Sequence, residues 1–181
     1  EGMFYVWLVL NFSKISLKNV ATKRYYDWVI TTPLMLLATV MYMKYLHLKE
    51  TGKLGQKQLR YLSFIKDNAA DVTKITVSNA LMLLFGYLGE IKKMPMVSSV
   101  AVGSLFFLYT FYVIYDKYAM HTETGQGLFL FLFVIWGLYA VAALMTARNK
   151  NIGFNLLDII SKNFYGIYIY YVIKDIASKS I

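Results

Sequence analysis

The last long apolar run of the chain, Ile152 to Ile173, contains only two charged side chains, Asp158 and Lys162. They are four residues apart, so a helix places them on one face, one turn from each other. A charged pair inside a bilayer is costly and is expected to face the interior of a bundle rather than lipid. Burial disfavours the ammonium form of a lysine and enlarges its free-amine fraction, the form that attacks an aldehyde. The product, a protonated imine, is again a cation and needs a buried anion beside it; Asp158 can be that anion. The same two residues could also form a purely structural ion pair, which this segment alone does not distinguish from a reactive one.

A second polar constellation lies near the other end of the chain. In RYYDWVITTPLMLL, Arg24, Asp27 and Thr31 are spaced by three and four, so a helix groups them on one face. Arg24 is expected to pair with Asp27 and to organise water near the membrane end of the helix, with Asp27 lying deeper. Pro33 should kink this helix, with Thr31 or Thr32 taking up the freed carbonyl. Ala38 follows Asp27 by eleven residues, on nearly the same face and roughly 16 Å further along at 1.5 Å per residue. That position is apolar.

Composition says where such groups must be held. Of 181 residues, 58% are hydrophobic and 16% charged, with a mean hydropathy of +0.48, well below the charge content of a soluble domain. The sequence is that of a multi-pass membrane protein folded as a single domain. The absence of cysteine excludes disulfides and thiolate metal sites. A formal charge of +9 comes from basic residues scattered over connections, which suits a surface meeting anionic lipid rather than nucleic acid. The two histidines, His47 and His121, fall near helix ends, and a metal site built from them is not expected.

In chain order, residues 2–12 read as the end of a membrane helix already under way, because Met3 to Leu10 is too short to span, and Ser13 to Lys23 as a loop. Helices are predicted at 23–47, 71–89, 97–118, 126–147 and 153–176, punctuated by GEIKKMP, DKYAMHTETGQG and ARNKNIG. The long connection after His47 carries Leu54, Leu62 and Ile65 at helical spacing, with Lys53, Lys57 and Arg60 on another face. It predicts an amphipathic surface helix at 53–66. With this connection in the cytoplasm, ten basic residues lie inside (Lys44, Lys49, Lys53, Lys57, Arg60, Lys66, Lys74, Lys117, Lys174, Lys179) and eight outside (Lys14, Lys18, Lys23, Arg24, Lys92, Lys93, Arg148, Lys150). That is a slender positive-inside bias.

RYYDWVITTPLMLL and DIISKNFYG together resemble the third and seventh helices of the microbial (type 1) rhodopsins, the lysine being followed by glycine four residues on. LMLLFGYLGE at 81–90 is similar to the fourth helix of the proteorhodopsin branch, and FVIWGLYAV at 133–141 to the family's sixth. The resemblance runs from about Arg24 to Ile173. Against the family's seven helices, the segment before Lys23 corresponds only to the tail of the second, and the first is not in this chain. It implies an all-α, seven-helix bundle that binds all-trans retinal through a Schiff base on Lys162, with Asp27 and Asp158 as counter-ions and Asp27 as proton acceptor. Arg24 would lie between them and the extracellular exit, and Thr31 would be the hydroxyl partner of Asp27. Trp28, Trp136 and Tyr139 would sandwich the polyene, Met35 would lie by its ring-side half, and Gly103 would complete the pocket; packing alone is the alternative role for these aromatics. Arg24, Thr31, Ala38 and Asn163 would line the gating or proton pathway.

The departures matter for activity. Outward proton pumps of the family usually carry a carboxylic acid at the site of Ala38, and none is available here. Ala140 stands where proline is frequent, and Ala143 where an aromatic is usual. Asn163 directly after the lysine, with the basic amphipathic connection, is similar to rhodopsins of giant viruses, some of which conduct cations passively in light. The resemblance therefore implies a photoreceptor rather than an enzyme, with light-gated cation conduction as the leading reading and a light-driven outward proton pump next. A photosensor acting through a partner, and a membrane protein without chromophore, are the remaining classes. Members of the family form trimers or pentamers, so a homo-oligomer is implied.

Overall fold

A computed structural model of the chain describes residues 2–54 and 60–178. Helix α1 (Gly2–Asn11) leads through a 3₁₀ turn, Phe12–Lys14, into the long α2 (Leu17–Glu50). A short α3 (Tyr61–Asp67) precedes α4 (Ala69–Glu90) and α5 (Met96–Lys117), which pack against each other more extensively than any other helix pair. A 3₁₀ turn at Ala119–His121 opens into α6 (Glu123–Ala143), followed by α7 (Ala147–Asp158), a π-helical stretch at Ile159–Phe164, and α8 (Tyr165–Ser178). Among the described residues, four helices, Asn19–Glu50, Ala69–Glu90, Met96–His121 and Glu123–Ala143, are long and apolar enough to cross a membrane. The chain is a multi-pass integral membrane protein built as an all-α bundle.

Lipid is the solvent for most of the surface, so apolarity does not by itself tell the inner face from the outer one. Close approach does that. Ser99 on α5 bonds through Oγ to the carbonyl of Phe85 on α4, and Gly89 faces the same serine: a Cβ there would lie 2.5 Å from Ser99 Oγ. Small residues at such a crossing let two backbones come together, the usual device where burial from water supplies no drive. Further along the same pair, Ser78 and Thr110 share a hydroxyl–hydroxyl bond of 2.6 Å. The main core cluster lies between α2, α4, α5 and α6, around Leu36, Val40, Met43, Ile75, Phe111 and Trp136.

Several boundaries differ from the sequence expectation, two for a tertiary reason and one for a local one. Helix α2 begins at Leu17 instead of Lys23, since Val20 and Ala21 are buried against the bundle. Segment ARNKNIG, expected as a connection, forms the first turns of α7: Asn151 Nδ2 donates to Leu17 O at 2.9 Å and Lys150 pairs with Glu90 at 2.7 Å. The Lys150 ammonium and the Asn151 amide nitrogen thus find acceptors on neighbouring helices, while Asn151 Oδ1 stays buried without a partner. Helix α6 starts at Glu123, where Thr122 Oγ1 accepts the Gly125 N–H at 2.9 Å as an N-cap.

The amphipathic helix expected at 53–66 is corrected to Tyr61–Asp67. Lys53 and Leu54 lie outside any helix, and Lys57 falls outside the described residues. Within α3 the buried side chain is Phe64, which meets Tyr118 at 6.1 Å between ring centroids, while Leu62 is exposed. Around Pro33 the threonine hydroxyls bond to Asp27 O (3.0 Å) and Trp28 O (2.8 Å). The carbonyl that the proline frees, four residues back, belongs to Val29, so the expected compensation by Thr31 or Thr32 goes to the two carbonyls before it.

Candidate functional site

Lys162 lies inside the π-helical stretch, whose wider turn replaces the regular ladder between α7 and α8. Its Nζ donates to Asp158 Oδ1 at 2.9 Å and stands 4.9 Å from the centre of the Trp28 ring. The face-sharing expected from the four-residue spacing therefore produces a real ion pair. Asp158 is fully buried and accepts from three further groups: Arg24 Nη1 at 2.6 Å, Tyr139 Oη at 2.7 Å and Tyr5 Oη at 3.0 Å. One carboxylate is thus shared by two cations and two phenols. Charge-assisted bonds from several donors are the conditions under which a fully buried carboxylate can stay ionised.

Arg24 is also fully buried, and its other nitrogen Nη2 bonds Asn155 Oδ1. Its guanidinium carbon lies 4.9 Å from the Phe4 ring centre and 5.9 Å from that of Phe154. The sequence expectation paired Arg24 with Asp27 along one helix; the 2.6 Å ion pair instead ties α2 to the end of α7. Asp27 itself is half-buried, one residue before Trp28, and receives the Thr31 hydroxyl at 3.0 Å on its carbonyl and 3.4 Å on its carboxylate.

Beside Lys162 opens a cavity whose walls are mostly apolar. Trp28, Trp136, Tyr139, Phe107, Gly103 and Met82 contribute to it, and Lys162 and Ser161 stand in its wall. Ala140 and Ala143 also line it, which leaves room where bulkier residues would close it. Trp28 meets Tyr139 edge-on at 5.3 Å and Phe154 at 5.1 Å, so the wall next to the amine is a locked aromatic cluster. Trp136, another wall residue, has its Nε1 buried without a hydrogen-bond partner. Gly103 keeps its stretch of wall thin: a Cβ there would come within 3.4 Å of the Met82 carbonyl.

Not every expected residue is brought to this place. Met35 packs against the main core cluster and does not line the cavity. Ala38 is half-buried further along α2, and Asn163 is exposed. Several polar residues escaped the sequence reading. Tyr5 and Asn155 complete the Arg24–Asp158 network. Ser161 bonds Tyr139 Oη at 2.8 Å. Asn79, nearly fully buried, donates to Thr32 Oγ1 at 2.8 Å. Beyond Ala38, Thr39 and Tyr165 share a 2.7 Å hydroxyl bond. The signal for these was their polarity inside apolar runs, but tyrosine, serine and threonine are too common in this chain for type alone to pick them out.

A model of bacteriorhodopsin-like proteins matches residues 1–176. The chain belongs to the bacteriorhodopsin-like family. Members are retinal-binding membrane photoreceptors, which implies a retinal chromophore here. The chain is 25% identical over 166 residues to a green-light absorbing proteorhodopsin of Gamma-proteobacterium EBAC31A08, covering 82% of this chain and 59% of that protein. A second green-light absorbing proteorhodopsin, from an unknown prokaryotic organism, matches to the same extent. The chain thus spans 59% of the length of the curated relatives it matches. Among solved structures, the viral rhodopsin OLPVRII superposes with a TM-score of 0.80 at 30% identity, covering 96% of this chain and 76% of that one. The residues present fit the family's chromophore: an amine in the wall of an apolar, aromatic-sided cavity, a buried carboxylate against it, and two tryptophans and a tyrosine among its walls.

Proposed function

We propose that this rhodopsin-family chain holds all-trans retinal on Lys162 and moves cations across the membrane in light, with gated conduction as the leading mode. The carrying observation is the Lys162 Nζ itself, in the cavity wall and 2.9 Å from a carboxylate that is otherwise fully buried. When bound, retinal supplies a light-driven double-bond isomerisation that displaces the atom to which it is joined. The rest falls to the chain. Asp158, with Asp27 as a second acid on α2, offsets the positive charge at Nζ while Trp28, Trp136 and Tyr139 exclude water around it. Moving Nζ away from Asp158 leaves a cation in a low dielectric with its attraction weakened, which drives its proton towards a carboxylate. Asp27 is the acceptor we assign, because Asp158 is already committed to Arg24, Tyr5 and Tyr139.

The half of the bundle beyond Lys162 decides the transport mode. With that end of α2 placed in the cytoplasm, Ala38 offers no acid to return a proton to Nζ. The polar groups near it are the hydroxyls of Thr39 and Tyr165, which can carry a hydrogen-bonded water file but cannot serve as a neutral-pH proton donor. That favours a hydrated path over fast pumping. One observation supports the second reading, an outward proton pump: Arg24, Tyr5 and Asn155 gather polar side chains around Asp158, and Arg24, which keeps its own protons, can hold water there through which a released proton leaves. The current–voltage relation of the complete protein in light separates them. A reversal potential that follows the cation gradients establishes a channel; current of one sign at every voltage establishes a pump. If no stationary current flows although the protein takes up retinal, ion transport is refuted and a sensor remains. A protein that stays colourless with added retinal refutes the chromophore assignment altogether.

A further inference from the structure

The two histidines of the chain, 74 positions apart in sequence, meet at one end of the bundle. The rings of His47, in the last turns of α2, and His121, in the 3₁₀ turn before α6, have centroids 4.7 Å apart and planes inclined at 41°. Neither ring is taken up by a hydrogen bond or an ion pair among the described residues. The inclination leaves the ring faces unstacked. Two imidazoles on one ion at roughly 2.0–2.1 Å have centroids about 4.5–5.3 Å apart for bond angles between a right angle and the tetrahedral value, and the observed separation lies in that interval.

The backbone that carries both rings is held from within. Met43, one turn before His47, is fully buried, as are Tyr118 and Ala119 just before His121, and the 3₁₀ turn touches α2, α5 and α6. The pairing of the two rings is therefore built into the fold, so a ligand that bridges them would lose little by ordering the backbone that carries them. Exposed His121 and half-buried His47 leave the site open to water. No group of three or more histidine, cysteine, aspartate or glutamate side chains converges among the described residues, so water must complete any coordination.

We propose that His47 and His121 form a two-histidine site for a borderline divalent transition metal of the zinc or nickel kind, the imidazole-preferring ions. A metal there clamps the end of α2, which carries Arg24, Asp27 and Trp28, to the turn that leads into α6, which carries Trp136 and Tyr139. Occupancy would thus tie together two elements that meet at this end of the bundle. This inference stands whether the light-driven activity is conduction or pumping.

The test is titration of the complete, purified protein with zinc chloride and, separately, nickel chloride near pH 7.5, read by calorimetry and by X-ray absorption at the metal edge. The expected result is one ion per chain with two imidazole nitrogens in its shell, and at least a tenfold weaker association in both His47→Ala and His121→Ala. His47→Gln and His121→Gln serve as milder replacements, and unchanged retinal absorption in each variant certifies its fold. Equal binding by wild type and variants, one ion per two chains, or no binding up to about millimolar metal would each overturn the proposal.

Discussion

Replacing Asp158 by asparagine keeps the shape of the side chain and removes its charge, so the buried Arg24 loses the carboxylate 2.6 Å from its guanidinium and Lys162 loses one of its partners. At charge separations of about 4 Å and an effective dielectric near 20, each such attraction is about 4 kcal/mol before desolvation. Breaking a buried pair from one side typically costs about 3–5 kcal/mol, because the partner charge stays buried and uncompensated. Asp158 is fully buried and Arg24 equally so, so solvent cannot relieve the loss by relaxation at that end. For a chain of this length about 2–4 °C of melting temperature corresponds to each kcal/mol, so Asp158→Asn should melt roughly 6–20 °C lower. The assay is thermal unfolding of the purified protein at a fixed scan rate, followed by tryptophan fluorescence. Arg24→Gln should also destabilise, and the double variant should lose less than the sum by up to about 3 kcal/mol, since removing both ends leaves no orphaned pair. A drop under about 2 °C for Asp158→Asn, or strict additivity of the two losses, would refute the view that this carboxylate is the charge on which the network depends.

Other outcomes follow from the same geometry. Asp27→Asn should move the absorption maximum of the retinal-loaded protein to the red, as a negative charge near Lys162 Nζ no longer localises the positive one; an unchanged spectrum removes Asp27 from the counter-ion role. Lys162→Ala should leave the protein colourless with added retinal, and pigment formation in that variant would show a different attachment point. Gly89→Ala drives a Cβ to within 2.5 Å of Ser99 Oγ and should cost about 1–3 kcal/mol through forced separation of α4 and α5. Gly103→Ala meets only the Met82 carbonyl at 3.4 Å and Phe85 Cβ at 3.9 Å and should be nearly neutral, so similar melting temperatures for the two would contradict the α4–α5 packing described above.

Much of the site was written in local pattern. Two charged residues in an apolar span, four apart, dictated one face and a shared polar interior, because hydrocarbon tolerates such a pair only when it is turned inwards. Composition likewise required a helical multi-pass bundle, since only structures that satisfy their own backbone survive in lipid. Which acid Arg24 would choose was beyond the sequence. Asp27 is the nearer in sequence, but tertiary packing brings Asp158 to 2.6 Å from its guanidinium, supported by Tyr5 from a third helix. The polar stretch ARNKNIG resembles a loop by composition, yet it is helical, with Glu90 and Leu17 O lying where Lys150 and Asn151 Nδ2 find partners. His47 and His121 carried no signal as a pair, for nothing in a primary sequence states that two helix ends will share a corner. Periodicity reports which side of a helix faces inwards; the partner met there depends on how the helices cross, and that is settled by close packing among residues far apart in the chain.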